Sequence, residues 1–147
     1  MRVLIADDSV LLREGLALIL ADGGHEVVGG VGDGEALVSE ALRLRPDVVV
    51  ADIRMPPSHT DEGLRATTRI RAQWPGAPIL LLSQYVVAGY LPELLADGGG
   101  ALGYLLKDRV GDIDAFLGAV ERVARGELVL DPDVVSDAAR QIAEAVR

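Results

Sequence analysis

The sequence predicts an α/β protein: one five-stranded parallel sheet with helices wound on both faces, in a (βα)5 order. Five short apolar stretches alternate with five longer ones whose apolar residues recur at helical spacing. Strands that alternate with helices pair in parallel through right-handed crossovers. The third short stretch, residues 48–51, is entirely apolar and mostly β-branched. That composition is typical of a strand buried on both faces, which supports a doubly wound sheet.

Turn and capping residues delimit the first two strand–helix units. The first strand covers residues 3–6, and the acceptor side chains of Asp7, Asp8 and Ser9 can cap the helix that follows. That helix ends at a pair of glycines at 23 and 24, as helices often do. The second strand covers residues 26–31. Asp33 begins a second helix, which runs to about residue 44.

The later units repeat this order after the strand at 48–51. The predicted elements are a long loop with two prolines, a helix at 61–73, a strand at 79–82, a helix at 87–96, a strand at 102–106 and a helix at 113–125. Asp131 and Pro132 then predict a sixth helix, because an acceptor followed by proline is a typical helix start. Val134, Val135, Ala138, Ile142 and Val146 would share one face of this helix, which can pack on the domain, join another protomer or begin a linker. We therefore expect a domain over residues 1–126 and a C-terminal extension or linker helix over residues 127–147.

Composition excludes several function classes. The chain has 147 residues, is half hydrophobic, carries a net charge of −9 and contains no cysteine. An acidic chain without a basic run is not expected to bind nucleic acid itself. The absence of cysteine excludes disulfides and thiolate chemistry. Since the apolar runs are too short to span a bilayer and no signal peptide is evident, we expect a cytoplasmic protein without a membrane partner.

Chemically active residues follow four of the predicted strands, at the sheet edge where α/β proteins bind ligands. They are Asp7 and Asp8 after the first strand, Asp52 after the third, Ser83 after the fourth and Lys107 after the fifth. Carboxylates about 5 Å apart repel by about 3 kcal/mol per pair at an effective dielectric of about 20. Such a site needs a cation, and oxygen ligands suit Mg²⁺. A carboxylate beside a metal, an ammonium and a hydroxyl is suited to accept a phosphoryl group.

Each of these residues also has a simpler structural interpretation. The two N-terminal acids can be only a turn and a helix cap, and the serine can bond the backbone at its strand end. Aromatic side chains on strands usually pack in the core. The remaining interpretations are core packing for Tyr104, solvated loop positions for His25 and His59, and a charged helix start for Asp61 and Glu62.

Together the motifs resemble the receiver domain of bacterial two-component response regulators, which has a flavodoxin-like fold. The resemblance covers about residues 1–125, and it includes the run Asp-Ile-Arg-Met-Pro that starts at Asp52. It implies that Asp52 accepts a phosphoryl group from a sensor histidine kinase, assisted by Lys107 and Ser83. It also implies an Mg²⁺ site and a two-residue switch. The implied metal ligands are Asp7, Asp8, Asp52 and the backbone carbonyl of Arg54, and the implied switch residues are Ser83 and Tyr104.

The sequences at 82–85 and 103–108 resemble the NarL/LuxR subgroup, whose members usually carry a helix-turn-helix domain after the receiver. Residues 131–147 are too short and too acidic to be that domain. We expect a signalling switch, not an enzyme, that assists its own aspartyl phosphorylation and dephosphorylation. Phosphorylation is expected to change homodimerisation or output contacts and to regulate transcription through a DNA-binding domain outside this chain. The alternative is a stand-alone or degenerate receiver that acts through protein contacts without phosphorylation.

Two other functions on a similar sheet fit the residues less well. An aspartyl phosphatase usually has a general acid two residues after its nucleophile, and the guanidinium of Arg54 at that position does not release a proton. A flavin or nucleotide binder would need a glycine-rich phosphate loop where Asp7 and Asp8 stand.

Two departures from the family pattern predict restricted access to the site. The loop at 57–62 is longer than usual, so we expect it to shield or reshape the site. Large side chains at Arg54 and Tyr85 are expected to obstruct water and to slow dephosphorylation.

Overall fold

The computed structural model describes residues 1–84, 91–96 and 100–145. One sheet of parallel strands runs through them in the order β2-β1-β3-β4-β5-β6. The predicted α/β fold class and its five strands are confirmed. The strands are β1 (Arg2–Ala6), β2 (Glu26–Val31), β3 (Val48–Asp52), β4 (Ile79–Ser83), β5 (Leu102–Leu106) and β6 (Leu128–Leu130).

The sixth strand is an addition to the predicted sheet. The sequence places its three residues in the predicted C-terminal extension, because a run this short carries no recognisable period. In the structure β6 pairs in parallel with β5, with Leu102 opposite Leu128 and Tyr104 opposite Leu130. Strand β5 is therefore an inner strand of the sheet.

The helices follow the predicted order. They are α1 (Val10–Asp22), α2 (Gly34–Leu44), α3 (Glu62–Gln73), α4 (Leu91–Leu94), α5 (Ile113–Ala124) and α6 (Pro132–Ala145), and a short 3₁₀ helix covers Lys107–Gly111. Part of the predicted fourth helix, residues 87–90, lies outside the described residues. Among the described helices, none combines the length and apolarity needed to cross a bilayer.

The core has two layers, one on each face of the sheet. Alternate residues of β3 point to opposite sides, so that Val49 and Ala51 pack in one layer and Val48 and Val50 in the other. Helices α2, α3, α4 and α6 contribute to the first layer, whereas α1 and α5 contribute to the second. This double burial explains why the strand sequences are continuously apolar.

Side chains cap the starts of several helices. The Ser9 hydroxyl accepts the backbone N–H of Leu12 at 3.3 Å, and the Asp33 carboxylate accepts that of Ala36 at 2.8 Å. The sequence predicted both helix starts, with Ser9 among the candidate caps of α1. Asp112 caps α5 in the same way. Each cap satisfies an N–H that has no partner within its helix.

The structure corrects the interpretation of His25 as a solvated residue. Its side chain is only 6% exposed, and its Nε2 lies 3.7 Å from an oxygen of Glu121 on α5. The local sequence gave no sign of this burial, because it depends on a helix almost a hundred residues further along the chain.

Helix α6 packs on the domain, one of the three arrangements that the sequence left open. Val134 is fully buried in the same core layer as Tyr104, and Ala138 is partly buried against that layer. Val135 and Ile142, which were predicted to share a face with these residues, are exposed. The last residue of that predicted face, Val146, lies outside the described residues.

Candidate functional site

The acidic residues meet at the carboxyl ends of β1 and β3. Ala6 pairs with Ala51, so Asp7 and Asp52 occupy the next position on neighbouring strands. Both side chains are buried, at 2% and 5% exposure, whereas Asp8 is exposed. One carboxylate oxygen from each of the three residues lies within 4.8 Å of the others.

Lys107 brings a positive charge to this cluster from the 3₁₀ helix that follows β5. Its Nζ lies 3.0 Å from Oδ2 of Asp52 and 3.5 Å from Oδ2 of Asp7. Burial disfavours the charged ammonium, but the two carboxylates outweigh that effect and raise the pKa of Lys107 above its usual range. The side chain is therefore a fixed cation at the edge of the acidic cluster.

Burial also disfavours the charged form of Asp52, which for a carboxyl group means a higher pKa. Desolvation raises the pKa of Asp52 above its usual range, and the negative charge of Asp7 adds to the rise. The ammonium of Lys107 and the backbone N–H of Arg54, which donates to Oδ1 at 3.3 Å, oppose it without cancelling it. The carboxylate is thus poorly hydrated and held by few donors, which suits a group that reacts or binds a cation.

Backbone contacts fix the two buried acids. The N–H of Ser9 donates to Oδ1 of Asp7 at 2.9 Å. Gly63, at the start of α3, presses against the end of β3, where a Cβ atom would lie 2.0 Å from the carbonyl oxygen of Asp52. Only glycine permits this approach, so the helix start holds the backbone of Asp52 in place.

The other predicted site residues lie around Asp52. Ser83 is the buried last residue of β4, and the residue before it, Leu82, pairs with Asp52. The Arg54 side chain is exposed. Tyr104 is fully buried within the core layer that includes α6. Tyr85 lies outside the described residues.

The long loop after β3 is folded around Glu62, which the sequence analysis interpreted as a charged helix start. Its buried carboxylate accepts the N–H of Ser58 at 2.8 Å, the N–H of Thr60 at 3.1 Å and the Ser58 hydroxyl. The hydroxyl bond and these N–H donors outweigh burial and lower the pKa of Glu62 to about 2. Glu62 is therefore an anchor for the loop.

His59, at the tip of this loop, also differs from the predicted solvated residue. Its side chain is half exposed, but Nε2 lies 3.1 Å from Oδ2 of Asp8. The loop therefore reaches the acidic cluster, and local sequence gave no signal for that contact.

A second cluster at the end of β6 was missed by sequence reasoning. The fully buried carboxylate of Asp131 accepts the N–H of Leu106 at 3.1 Å, that of Asp133 at 2.9 Å, and Nε and Nη2 of Arg109 at 2.9 and 3.1 Å. Leu106 immediately precedes Lys107. The start of α6 is thus tied to the strand end that carries the site lysine.

The donor set fits Mg²⁺. Three carboxylates whose oxygens lie within 4.8 Å of one another supply hard oxygen ligands, and in the described residues the cluster contains no sulfur or nitrogen ligand of the kind that softer metals prefer. A cation there would relieve the repulsion among the carboxylates.

Known proteins resemble this chain in sequence and in structure. The family model "Response regulator receiver domain" matches residues 3–117. "Protein-glutamate methylesterase/protein-glutamine glutaminase 5" of Anaeromyxobacter dehalogenans is 42% identical over 111 residues, which are 75% of this chain and 30% of that protein. "Transcriptional regulatory protein DegU" of Brevibacillus brevis is 37% identical over 134 residues, which are 90% of this chain and 54% of that protein. This chain spans about half the length of DegU and less of the methylesterase.

A solved structure supports the same relationship. The crystal structure of a LuxR-family two-component response regulator from Aurantimonas sp. SI85-9A1 superposes with a TM-score of 0.79 at 28% identity, covering 97% of each chain.

Proposed function

The chain belongs to the response regulator receiver family, with relatives of the NarL/LuxR type, and on that premise we propose that it is a switch phosphorylated on Asp52 by a sensor histidine kinase. One observation carries the proposal. The buried Asp52 carboxylate lies 3.0 Å from the Lys107 ammonium and within 4.8 Å of the carboxylates of Asp7 and Asp8. This is the charge arrangement that phosphoryl transfer to a carboxylate requires.

In the proposed transfer, a carboxylate oxygen of Asp52 forms a bond to phosphorus. The bond between phosphorus and the imidazole nitrogen of the donor phosphohistidine breaks, and its electron pair stays on that nitrogen. Lys107 faces the negative charge of the transferring group. Mg²⁺ held by Asp7, Asp8, Asp52 and the backbone carbonyl of Arg54 would neutralise further charge there.

The phosphorylated state differs from the free state mainly in charge. A phosphoryl group adds a charge of about −1.5 to −2. We expect Lys107 and Ser83 to be drawn towards it, with Tyr104 responding behind them. Because the N–H of Leu106 is bound to Asp131, a displacement at Lys107 would act on the start of α6. Helix α6 is therefore the proposed output element within this chain.

The output itself lies outside this chain in the proposal. Transcription regulation through a DNA-binding domain follows the likeness to DegU and to the LuxR-family regulator. The methylesterase shows that a related receiver also occurs in an enzyme. A cytoplasmic location, typical of response regulators, belongs to the same proposal. The alternative remains a receiver that acts through protein contacts without phosphorylation.

The proposal is tested by intact mass after incubation with Mg²⁺ and acetyl phosphate. We expect the wild type to gain about 80 Da, the mass of one phosphoryl group. The matched variants are Asp52→Asn, which should gain nothing, and Asp114→Asn, an exposed acid on α5 that should behave as wild type. No gain in the wild type, with acetyl phosphate or with a kinase as donor, would refute phosphorylation and favour the alternative.

The proposed partner for the phosphorylated form is a second copy of this chain. Leu11 and Leu18 on α1 are 81% and 73% exposed, and Ile113 at the start of α5 is 49% exposed. Exposed apolar side chains of this kind are common in protein interfaces. Light scattering before and after acetyl phosphate tests this. A phosphorylated protein that stays monomeric at high concentration would contradict it.

Slow dephosphorylation remains a separate proposal. It rests on the large side chains of Arg54 and Tyr85, and it predicts that Arg54→Ala and Tyr85→Ala shorten the lifetime of the phosphorylated form. An unchanged half-life in both variants would count against it.

A further inference from the structure

The loop between β3 and α3 is built to hold His59 in one place. On one side of His59, the N–H and hydroxyl of Ser58 bind the Glu62 carboxylate, and on the other side the N–H of Thr60 binds it. The N–H of His59 itself donates to the carbonyl of Met55 at 2.9 Å. The backbone around this residue is therefore fixed on both sides.

His59 adopts a backbone conformation that is uncommon for residues other than glycine. Its φ angle is +54°, in the left-handed region that non-glycine residues rarely occupy. Strained residues of this kind persist only where their surroundings hold them, and they cluster at functional sites. Here the conformation accompanies a ring that reaches Asp8, 51 residues away in sequence, with Nε2 at 3.1 Å from Oδ2.

The three acids differ in how they are held. Asp7 is fixed by the N–H of Ser9 and by Lys107, and Asp52 is fixed by Lys107 and a backbone N–H. Asp8 is the exposed member of the cluster, and across residues 1–84, 91–96 and 100–145 the one recorded partner of its carboxylate is His59. Because an ionised carboxylate only accepts hydrogen bonds, Nε2 of His59 is the donor.

We propose that His59 is a positioning residue for the cation site. Its Nε2–H holds one oxygen of Asp8 and thereby leaves the other for a cation shared with Asp7 and Asp52. Ligating carboxylates commonly have such an outer hydrogen-bond partner, and its loss weakens metal binding by about 10- to 100-fold. The inference rests on the proposed function, since it assumes that the three acids hold Mg²⁺.

Calorimetric titration of the full chain with Mg²⁺ tests the inference. We expect His59→Ala to weaken Mg²⁺ binding by about tenfold, the low end of the outer-shell range because the ring is 53% exposed. His59→Gln, whose amide N–H can donate to Asp8, should recover most of the affinity. Thr60→Ala is the control on the same loop. It keeps the backbone N–H to Glu62 and loses only exposed hydroxyl bonds with Ser58 and Asp61, so it should bind as wild type.

A double-mutant cycle separates positioning from a general effect on the loop. In an Asp8→Ala background, His59→Ala should cause no further loss of Mg²⁺ affinity, because the residue through which it acts is gone. Without metal, His59→Ala should melt within a few degrees of wild type, because the bond that it loses joins partly exposed groups and contributes about 0–1 kcal/mol. An additive loss in the double variant would overturn the inference.

The remaining outcomes are also decisive. Unchanged or tighter Mg²⁺ binding by His59→Ala overturns the inference, tighter binding showing that the ring competes with the metal. A larger loss for Mn²⁺ than for Mg²⁺ would make His59 a direct nitrogen ligand and also overturn it. If wild type and Asp52→Asn both fail to bind Mg²⁺, the metal site of the proposed function fails and the inference with it. If wild type binds and His59→Ala is unchanged, only the inference fails.

Discussion

Replacing Asp131 by alanine is expected to weaken the attachment of the C-terminal unit formed by β6 and α6 to the sheet. The Asp131 carboxylate is fully buried, yet it carries a charge and accepts four hydrogen bonds from three residues. A buried charge of this kind is tolerated only because it is paired and saturated with donors. Removing it leaves each donor without its acceptor.

The magnitude follows from the environment of each donor. The N–H of Leu106 is buried and would lose its acceptor, at a cost of about 1–3 kcal/mol. The N–H of Asp133 at the start of α6 would lose a cap-type bond worth about 1 kcal/mol. Arg109 is 41% exposed and water can replace Asp131 as its partner, so the loss of its hydrogen bonds to Asp131 adds little. We expect a total of about 3 kcal/mol, or about 6–12 °C in melting temperature for a domain of this size.

Urea unfolding followed by circular dichroism measures this loss. The matched control is Asp133→Ala, which removes an exposed carboxylate that also binds Arg109, at 3.1 Å. Surface pairs of this kind contribute about 0–1 kcal/mol. Hydrogen exchange at the amide of Leu106 should accelerate in Asp131→Ala and stay slow in the control. A loss below about 1 kcal/mol, or one equal to the control, would refute the assigned role of Asp131.

The pH dependence of the same difference has a definite sign. Burial acts to raise the pKa of Asp131, but the Arg109 guanidinium and the backbone donors outweigh it and lower the pKa below its usual range. A lowered pKa in the folded state means that the stabilisation is present above the unfolded pKa of about 3.9 and is lost as pH falls. The stability difference between wild type and Asp131→Ala should therefore be constant near neutral pH and shrink in acid.

Three further predictions concern the site. Gly63→Ala places a Cβ 2.0 Å from the Asp52 carbonyl, so we expect phosphorylation to slow by about tenfold or more, whereas Gly15→Ala, which meets open space, should not change it. Equal rates, measured by intact mass, would contradict this. Glu62→Gln removes a carboxylate whose pKa is lowered from 4.5 to about 2. The melting temperature of this variant should therefore fall less steeply than that of wild type as the pH decreases from 4.5 to about 2, and parallel curves would be evidence against Glu62 as the loop anchor. Lys107→Met removes the charge that lowers the pKa of Asp52. A carboxyl NMR titration without metal should therefore show a further rise in the pKa of Asp52, and a fall would disprove the pairing of Lys107 with Asp52.

Much of the fold could be predicted because its signals are local. Solid apolar runs marked the strands that are buried on both faces, and Ser9 and Asp33 marked helix starts that the structure confirms. The grouping of Asp7, Asp52 and Lys107 was also expected, because residues at the carboxyl ends of neighbouring parallel strands must lie near one another. What the structure added is the 3.0 Å contact and the burial that raises the pKa of Asp52.

The remaining features were decided by contacts between distant parts of the chain. Residues 128–130 form a strand only because β5 offers an unpaired edge. A run of three residues is too short to show the hydrophobic periodicity from which a strand is recognised. Asp131 before a proline has the sequence of an ordinary helix cap. Its position beside the end of β5 makes it a buried carboxylate that is ion-paired with Arg109.

The loop between β3 and α3 also combines features that the sequence predicted with contacts that only the tertiary structure decided. Its prolines, polar residues and unusual length were visible in the sequence, and they predicted a segment near the site. That Glu62 folds it and that His59 reaches Asp8 depended on where α3 meets the end of β3. The sequence alone therefore determined the first five strands, the order of the helices and which residues share the site edge, because periodicity and strand order are properties of the chain. Tertiary structure decided which polar groups are buried and which partners hold them, because those depend on distances that no local pattern encodes.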